Sequence, residues 1–240
     1  AAAAGGAWGT IPGVLKSRFG AHEVINTIML NFVAFALVAW IGHSVFEPAT
    51  VRTATLPDAA TLPRLGAFFP ALTGSPANLS LLLALVAAVA AQLLLFRTRL
   101  GYELRVVGLN PSAAAYGGIA TGPAQALALG ISGAAAGLAG VNFVLGYKHY
   151  FELGFSSGAG FLGIAVALLG RNHPLGVVAA ALFFGALSYG GLVVNQRVPK
   201  ELVEALQGLV ILFVGADVLV LYVWQARKKL RRRDRELKAT

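Results

Sequence analysis

The side chains able to do chemistry in this sequence are amides and a few rings set among apolar neighbours. Asn31 closes the run Glu23-Val-Ile-Asn-Thr-Ile-Met-Leu-Asn31, in which Glu23, Asn26, Thr27, Leu30 and Asn31 recur at spacings of three and four. On a helix that spacing gathers them onto one face. Asn31 falls eight residues into an uncharged run, about 12 Å along a helix, so its amide needs either a partner helix or a watery path. Asn142 lies near the end of a second apolar run, and Phe161 stands at the head of a third, Gly160 to Gly176. These three residues are the candidates for lining a solute pathway. An amide donates and accepts hydrogen bonds without the desolvation cost of a buried charge, which suits a neutral, hydrogen-bonding cargo. The competing use of Asn31 and Asn142 is interhelical hydrogen bonding, worth about 0.6 kcal/mol on average.

A docking element is written between Gly101 and Ile119. Asn110 is a good N-cap, Pro111 fits the first helical position, Ala113 to Ala115 propagate a helix, and Gly117 with Gly118 can end it. The result is a short helix, small on one side and carrying Tyr116, shaped to seat in a groove of a soluble partner. Asn110, Pro111, Ala113, Ala114 and Tyr116 are its candidate coupling residues; an ordinary loop helix is the alternative. His173, just before Pro174, reads as a turn residue rather than a proton carrier, and Asp217 as an interfacial acid. The chain has no GxxxxGK[ST] phosphate loop, no HExxH and no paired intramembrane carboxylates. No metal site, cofactor or catalytic residue is expected, and any ATP hydrolysis belongs to another chain.

The elements that must position these groups are membrane helices. Of 240 residues, 57 % are hydrophobic and 12 % charged, against about 25 % charged in typical soluble chains. Six segments can be drawn as spans: Val24–Phe46, Leu79–Phe96, Pro123–Gly146, Leu153–Gly170, Pro174–Val194 and Glu201 to Trp224. The fourth is barely long enough and reads as tilted, broken or re-entrant. Gly130, Gly133, Gly137 and Gly140 make a bare stripe against which another helix must press. The expected fold is all-α: a polytopic membrane bundle in one transmembrane domain, 1–240. Residues 1–7 read as the last turns of an earlier span of a longer chain.

Loop charges orient the bundle. Eight of the 19 basic residues lie between Arg227 and Lys238, and translocating that cluster is strongly disfavoured. With the tail at 225–240 inside, the segment 97–122 is also cytoplasmic and the proline-rich loop 47–77 is outside. The basic tail is an orientation signal beside membrane lipid rather than a nucleic-acid footprint, and no nucleic-acid partner is expected. There are no cysteines, so disulfides and thiol chemistry are excluded.

Trp8-Gly-Thr-Ile-Pro-Gly-Val-Leu-Lys16, the run from His22 to Asn31, Gly108-Leu-Asn-Pro-Ser-Ala-Ala-Ala-Tyr-Gly-Gly-Ile119 and Gly163-Ile-Ala-Val-Ala-Leu-Leu-Gly-Arg171 together resemble the permease subunits of bacterial ABC importers. The group includes branched-chain amino-acid, ribose-type sugar and nucleoside systems, and the Glu23–Asn31 run is most like the nucleoside branch. The resemblance extends from about Trp8 to Asp217. It implies a pathway subunit of the bacterial cell membrane, paired with a second permease subunit. It also implies cytoplasmic ATP-binding subunits and an extracytoplasmic solute-binding protein. Sugar or branched-chain amino-acid import, and ion-coupled secondary transport, are the alternatives.

Overall fold

The computed structural model describes residues 1–68, 70, 73–156, 158–194, 202, 205–210 and 212–213. The expected sixth span lies largely outside them, as do Asp217, Arg197, Lys200 and the basic tail. Among the described residues the fold is helical, with three isolated β-bridges and no longer strand pairing. Two compact units divide the chain, Ala1–Ser157 and Gly158–Thr240.

The first unit is built from helices α1 (Ala2–Phe19), α2 (Glu23–Val45), α3 (Ser80–Arg97), α4 (Arg99–Leu109), α5 (Pro111–Tyr116) and α6 (Thr121–Val141). A π-helical turn, Asn142–Lys148, extends α6. Each boundary has a local cause. Gly20, in the left-handed region at φ 64°, ends α1 and donates its N–H to Lys16. Thr98 is extended and serves two helices: its hydroxyl donates to the Leu94 carbonyl of α3 at 2.6 Å and accepts from the Gly101 N–H of α4 at 3.0 Å. Gly101 allows α4 to fold back on α3, because a Cβ there would lie 2.5 Å from Leu95 Cα.

The glycine stripe finds its partner in α1, which runs antiparallel to α6. Gly5 meets Gly133 backbone to backbone; a Cβ at Gly9 would lie 2.5 Å from the Leu129 carbonyl, and one at Gly13 would lie 2.6 Å from Ala126 Cα. From the other side, a Cβ at Gly137 would come within 2.5 Å of the Ala1 carbonyl. Small residues every fourth position let two helices approach this closely in a membrane. Gly140 does not join this seam and faces Phe155 instead. The run at 1–7 belongs to α1, a continuous helix of 18 residues.

The second unit contains α7 (Ala159–Leu169) and α8 (Pro174–Val194), joined through Arg171 and Asn172, both with positive φ. Phe184, 2 % exposed, is packed by Ala165, Val166 and Ala180. Among the described residues four helical segments are long and apolar enough to cross a bilayer: Glu23–Val45, Ser80–Arg97, Thr121–Lys148 and Pro174–Gly191. The fourth segment, expected to be tilted, broken or re-entrant, is a broken one. Residues 149–156 form turns, Gly154 and Gly158 adopt left-handed φ of 82° and 78°, and α7 keeps 11 residues. At 1.5 Å per residue that is about 16 Å, roughly half the hydrocarbon thickness.

Candidate coupling and pathway sites

The short helix predicted from Asn110 to Gly118 is present as α5, with the expected caps. Asn110 is extended, and its Oδ1 accepts from the Ala113 N–H at 3.1 Å, while Pro111 takes the first helical position. At the other end Gly117 donates to the Ala113 carbonyl, and Gly118, at φ 78°, turns the chain toward α6. The two faces of α5 differ sharply. Ala114 is wholly buried, enclosed with Val107 of α4 and Ala124 of α6, while Tyr116 is 97 % exposed. Pro111 and Ala113 are exposed as well.

Ala114, expected on the docking side, therefore faces the chain's own core. A six-residue helix has room for one inward position per turn, and Ala114 occupies it. Leu109, 87 % exposed on the last turn of α4, joins the outward face and was not singled out from sequence. It sits directly before the Asn-Pro cap, where an apolar residue on a solvated turn is the signal that could have found it.

The polar stripe of α2 is only partly free. Glu23 pairs with Lys16 of α1 at 2.5 Å, and Thr27 donates to the Glu23 carbonyl of its own helix at 3.1 Å. Asn26 Nδ2 is buried and has no hydrogen-bond partner among the described residues. Asn31 is exposed on the same helix. Phe161, on α7 in the second unit, is 81 % exposed.

Asn142 is engaged. Its Oδ1 accepts from Asn78 Nδ2 at 3.3 Å and lies 2.6 Å from Ser80 Oγ, at the start of α3. The loop 46–79 is fastened to the segment beyond α6 by backbone bonds from Leu62 to Leu145, Leu56 to His149 and Thr53 to Phe151. Phe151 and Phe155 meet edge to face beside this seam with ring centroids 5.4 Å apart. Between the end of α2 and this loop opens a pocket of about 480 Å³, bordered by Trp40, His43, Phe46, Glu47 and Thr50. Among the described residues no group of three or more His, Asp or Glu could hold a metal ion.

Comparison with known proteins matches this arrangement to a family. The family model described as branched-chain amino acid transport system / permease component covers residues 1–215. The chain is 40 % identical to the guanosine ABC transporter permease protein NupP of Bacillus subtilis, over 95 % of this chain and 66 % of that protein. It is 34 % identical to the nucleoside ABC transporter permease protein NupB of Lactococcus lactis, over 88 % of this chain and 60 % of that protein. With the glucose ABC transporter permease protein TsgB13 of Haloferax volcanii it shares 36 % identity, over 89 % of this chain and 59 % of that protein. The chain thus spans about three fifths to two thirds of the length of these relatives. No solved structure matches it. With the family pattern covering all but its last 25 residues, and with long apolar helices among the described residues, the chain belongs to the branched-chain amino acid transport system / permease component family.

Proposed function

We propose that this chain forms the membrane pathway of an ABC importer for nucleosides, driven by ATP hydrolysis on separate subunits. The observation that carries the mechanism is the two-faced helix α5: Ala114 is locked into the bundle and Tyr116 stands fully clear of it. A helix held on one side and bare on the other can pass a partner's movement into α4 and α6, and so bias the bundle between two conformations. The nucleoside assignment is supported by the guanosine and nucleoside permeases among the relatives. The glucose permease at 36 % identity favours a second reading, import of a simple sugar.

In this reading α5 and the tail at 225–240 face the cytoplasm, and the loop 47–77 faces outside toward a solute-binding protein. The membrane is the bacterial cell membrane, and a second permease subunit completes the pathway. Asn31 and Phe161 remain the pathway candidates.

Uptake of labelled guanosine into proteoliposomes holding the permease with its ATPase and binding protein tests the proposal. Uptake should require hydrolysable ATP and resist excess glucose. Uptake that follows an ion gradient without ATP would overturn the ABC mechanism, and competition by glucose alone would move the cargo to sugars. Orientation is checked with single cysteines, informative in a chain that has none. One at Thr61 should react with an impermeant reagent on intact spheroplasts, and one at Ala239 should not.

A further inference from the structure

The end of α6 is held by a residue that has no part in the proposal above. Asn78 is the one polar residue among the described ones that is buried as a whole, 5 % exposed, although it stands at the edge of a loop. All of its hydrogen-bonding capacity is directed into the chain. Its Nδ2 donates to the Gly146 carbonyl at 2.9 Å and to Asn142 Oδ1 at 3.3 Å, and its Oδ1 accepts from the Ser80 N–H at 2.9 Å. Ser80 Oγ lies within reach of both Asn142 Oδ1 and Asn78 Oδ1; with one proton, it donates to one of them at a time. Gly146 completes the seat, because a Cβ there would stand 2.9 Å from Asn78 Cγ and 3.1 Å from Asn142 Oδ1.

What these groups grip is the π-helical turn Asn142–Lys148. Such wide turns are rare, and when present they often mark functional positions. This one sets the direction of residues 149–153, which in turn carry the backbone bonds to the loop at Val51, Thr53 and Leu56. Releasing the turn would therefore release the loop as well.

We propose that Asn78 is a positioning residue for the loop-end mouth of the transport pathway. With Ser80 and Asn142 it latches the π-helical turn to the start of α3, so that α3, the loop and the end of α6 present one fixed surface to the arriving solute. The proposal rests on the permease reading. It gives Asn142 a different role from the pathway-lining one, since its contribution is the acceptor Oδ1 rather than an amide turned toward cargo.

Aspartate separates these roles. At position 142 it keeps an acceptor oxygen for Asn78 and Ser80. At position 78 it removes the Nδ2 donor and sets a carboxylate against the Gly146 carbonyl and Asn142 Oδ1. The experiment combines amide hydrogen exchange with uptake normalised to assembled complex. Asn78→Asp should speed exchange at Leu62 and across residues 145–148 about tenfold, the factor that corresponds to about 1.4 kcal/mol for a buried hydrogen bond lost. It should also lower normalised uptake by about fivefold or more, while Asn142→Asp, which keeps the acceptor oxygen, leaves exchange within about twofold.

Unchanged exchange in Asn78→Asp would overturn the latch. Faster exchange with unchanged normalised uptake would overturn the positioning role. Loss of uptake in Asn142→Asp with normal exchange would return Asn142 to the solute. If Asn78→Asp does not assemble, Ser80→Ala removes one donor and carries the same readouts in milder form. A wild-type complex that fails to transport with ATP bears on the permease reading alone, and the exchange measurement still decides the latch.

Discussion

Helix α6 is fixed at both ends, and by opposite means. At its first turn Ala124 closes over Ala114 and Val107, three apolar side chains with almost no exposed surface. Beyond its last turn, Asn142 is fixed by the amide of Asn78 and the hydroxyl of Ser80. The apolar seat depends on shape alone, so any small side chain can fill it but no large or charged one can. The polar seat depends on donors meeting acceptors, so it tolerates changes of size poorly and changes of donor pattern worse. An end that must transmit force gains from the first kind of contact, and an end that must hold one geometry gains from the second.

Breaking the apolar seat should have the larger effect. Ala114→Arg places a charge where no space or partner exists, and the loss should reach about 4 kcal/mol, the range that marks a core disruption. Measured as yield and melting temperature in detergent, it should reduce assembled permease before any effect on coupling can be read. A well-folded Ala114→Arg variant would mean that α5 can leave its seat. At the polar end, Gly146→Ala pushes a methyl group into the Asn78 amide. A cost of about 1–3 kcal/mol is expected, typical of overpacking, with the loosening confined to residues 142–149 by hydrogen exchange.

The smallest effect on the fold, and the sharpest contrast with its neighbour two residues away, is expected for Tyr116→Ala. With its side chain in the open, the substitution should change stability by less than about 0.5 kcal/mol. Binding of the ATPase, measured by co-purification and titration, should nevertheless weaken by about tenfold or more, as for an aromatic anchor lost from an interface. Normal binding in that variant would take Tyr116 out of the docking face.

The apolar contacts could be read in advance to different degrees. Asn110-Pro111 and Gly117-Gly118 are local signals, and α5 forms between them as expected. The stripe at Gly130, Gly133 and Gly137 correctly called for a close helix, and its partner was present in the spacing of Gly5, Gly9 and Gly13. Which face of α5 turns inward could not be read, because Ala113, Ala114 and Ala115 are identical and only the position of α4 and α6 distinguishes them. The polar latch was hidden for another reason. Asn78 before an apolar run signals a helix start, but its partners lie 64 and 68 residues further on. Nothing local in the Asn142 region reveals a π-helical turn, whose extra width is stabilised by those distant donors. The break at Gly154 and Gly158 is legible as glycine content, which reads Leu153–Gly170 as a tilted, broken or re-entrant segment, but glycine content alone does not say which residues adopt positive φ.

The backbone contact between α1 and α6 also bears on how the protein is made. The glycine face of α1 is complementary to a helix that begins at Thr121. About a hundred residues separate the end of α1 from that point, and at 5–20 residues per second their synthesis takes about 5–20 s. Throughout that interval the mate of α1 does not yet exist. Closure of the glycine seam is thus a late event, completed when α6 arrives.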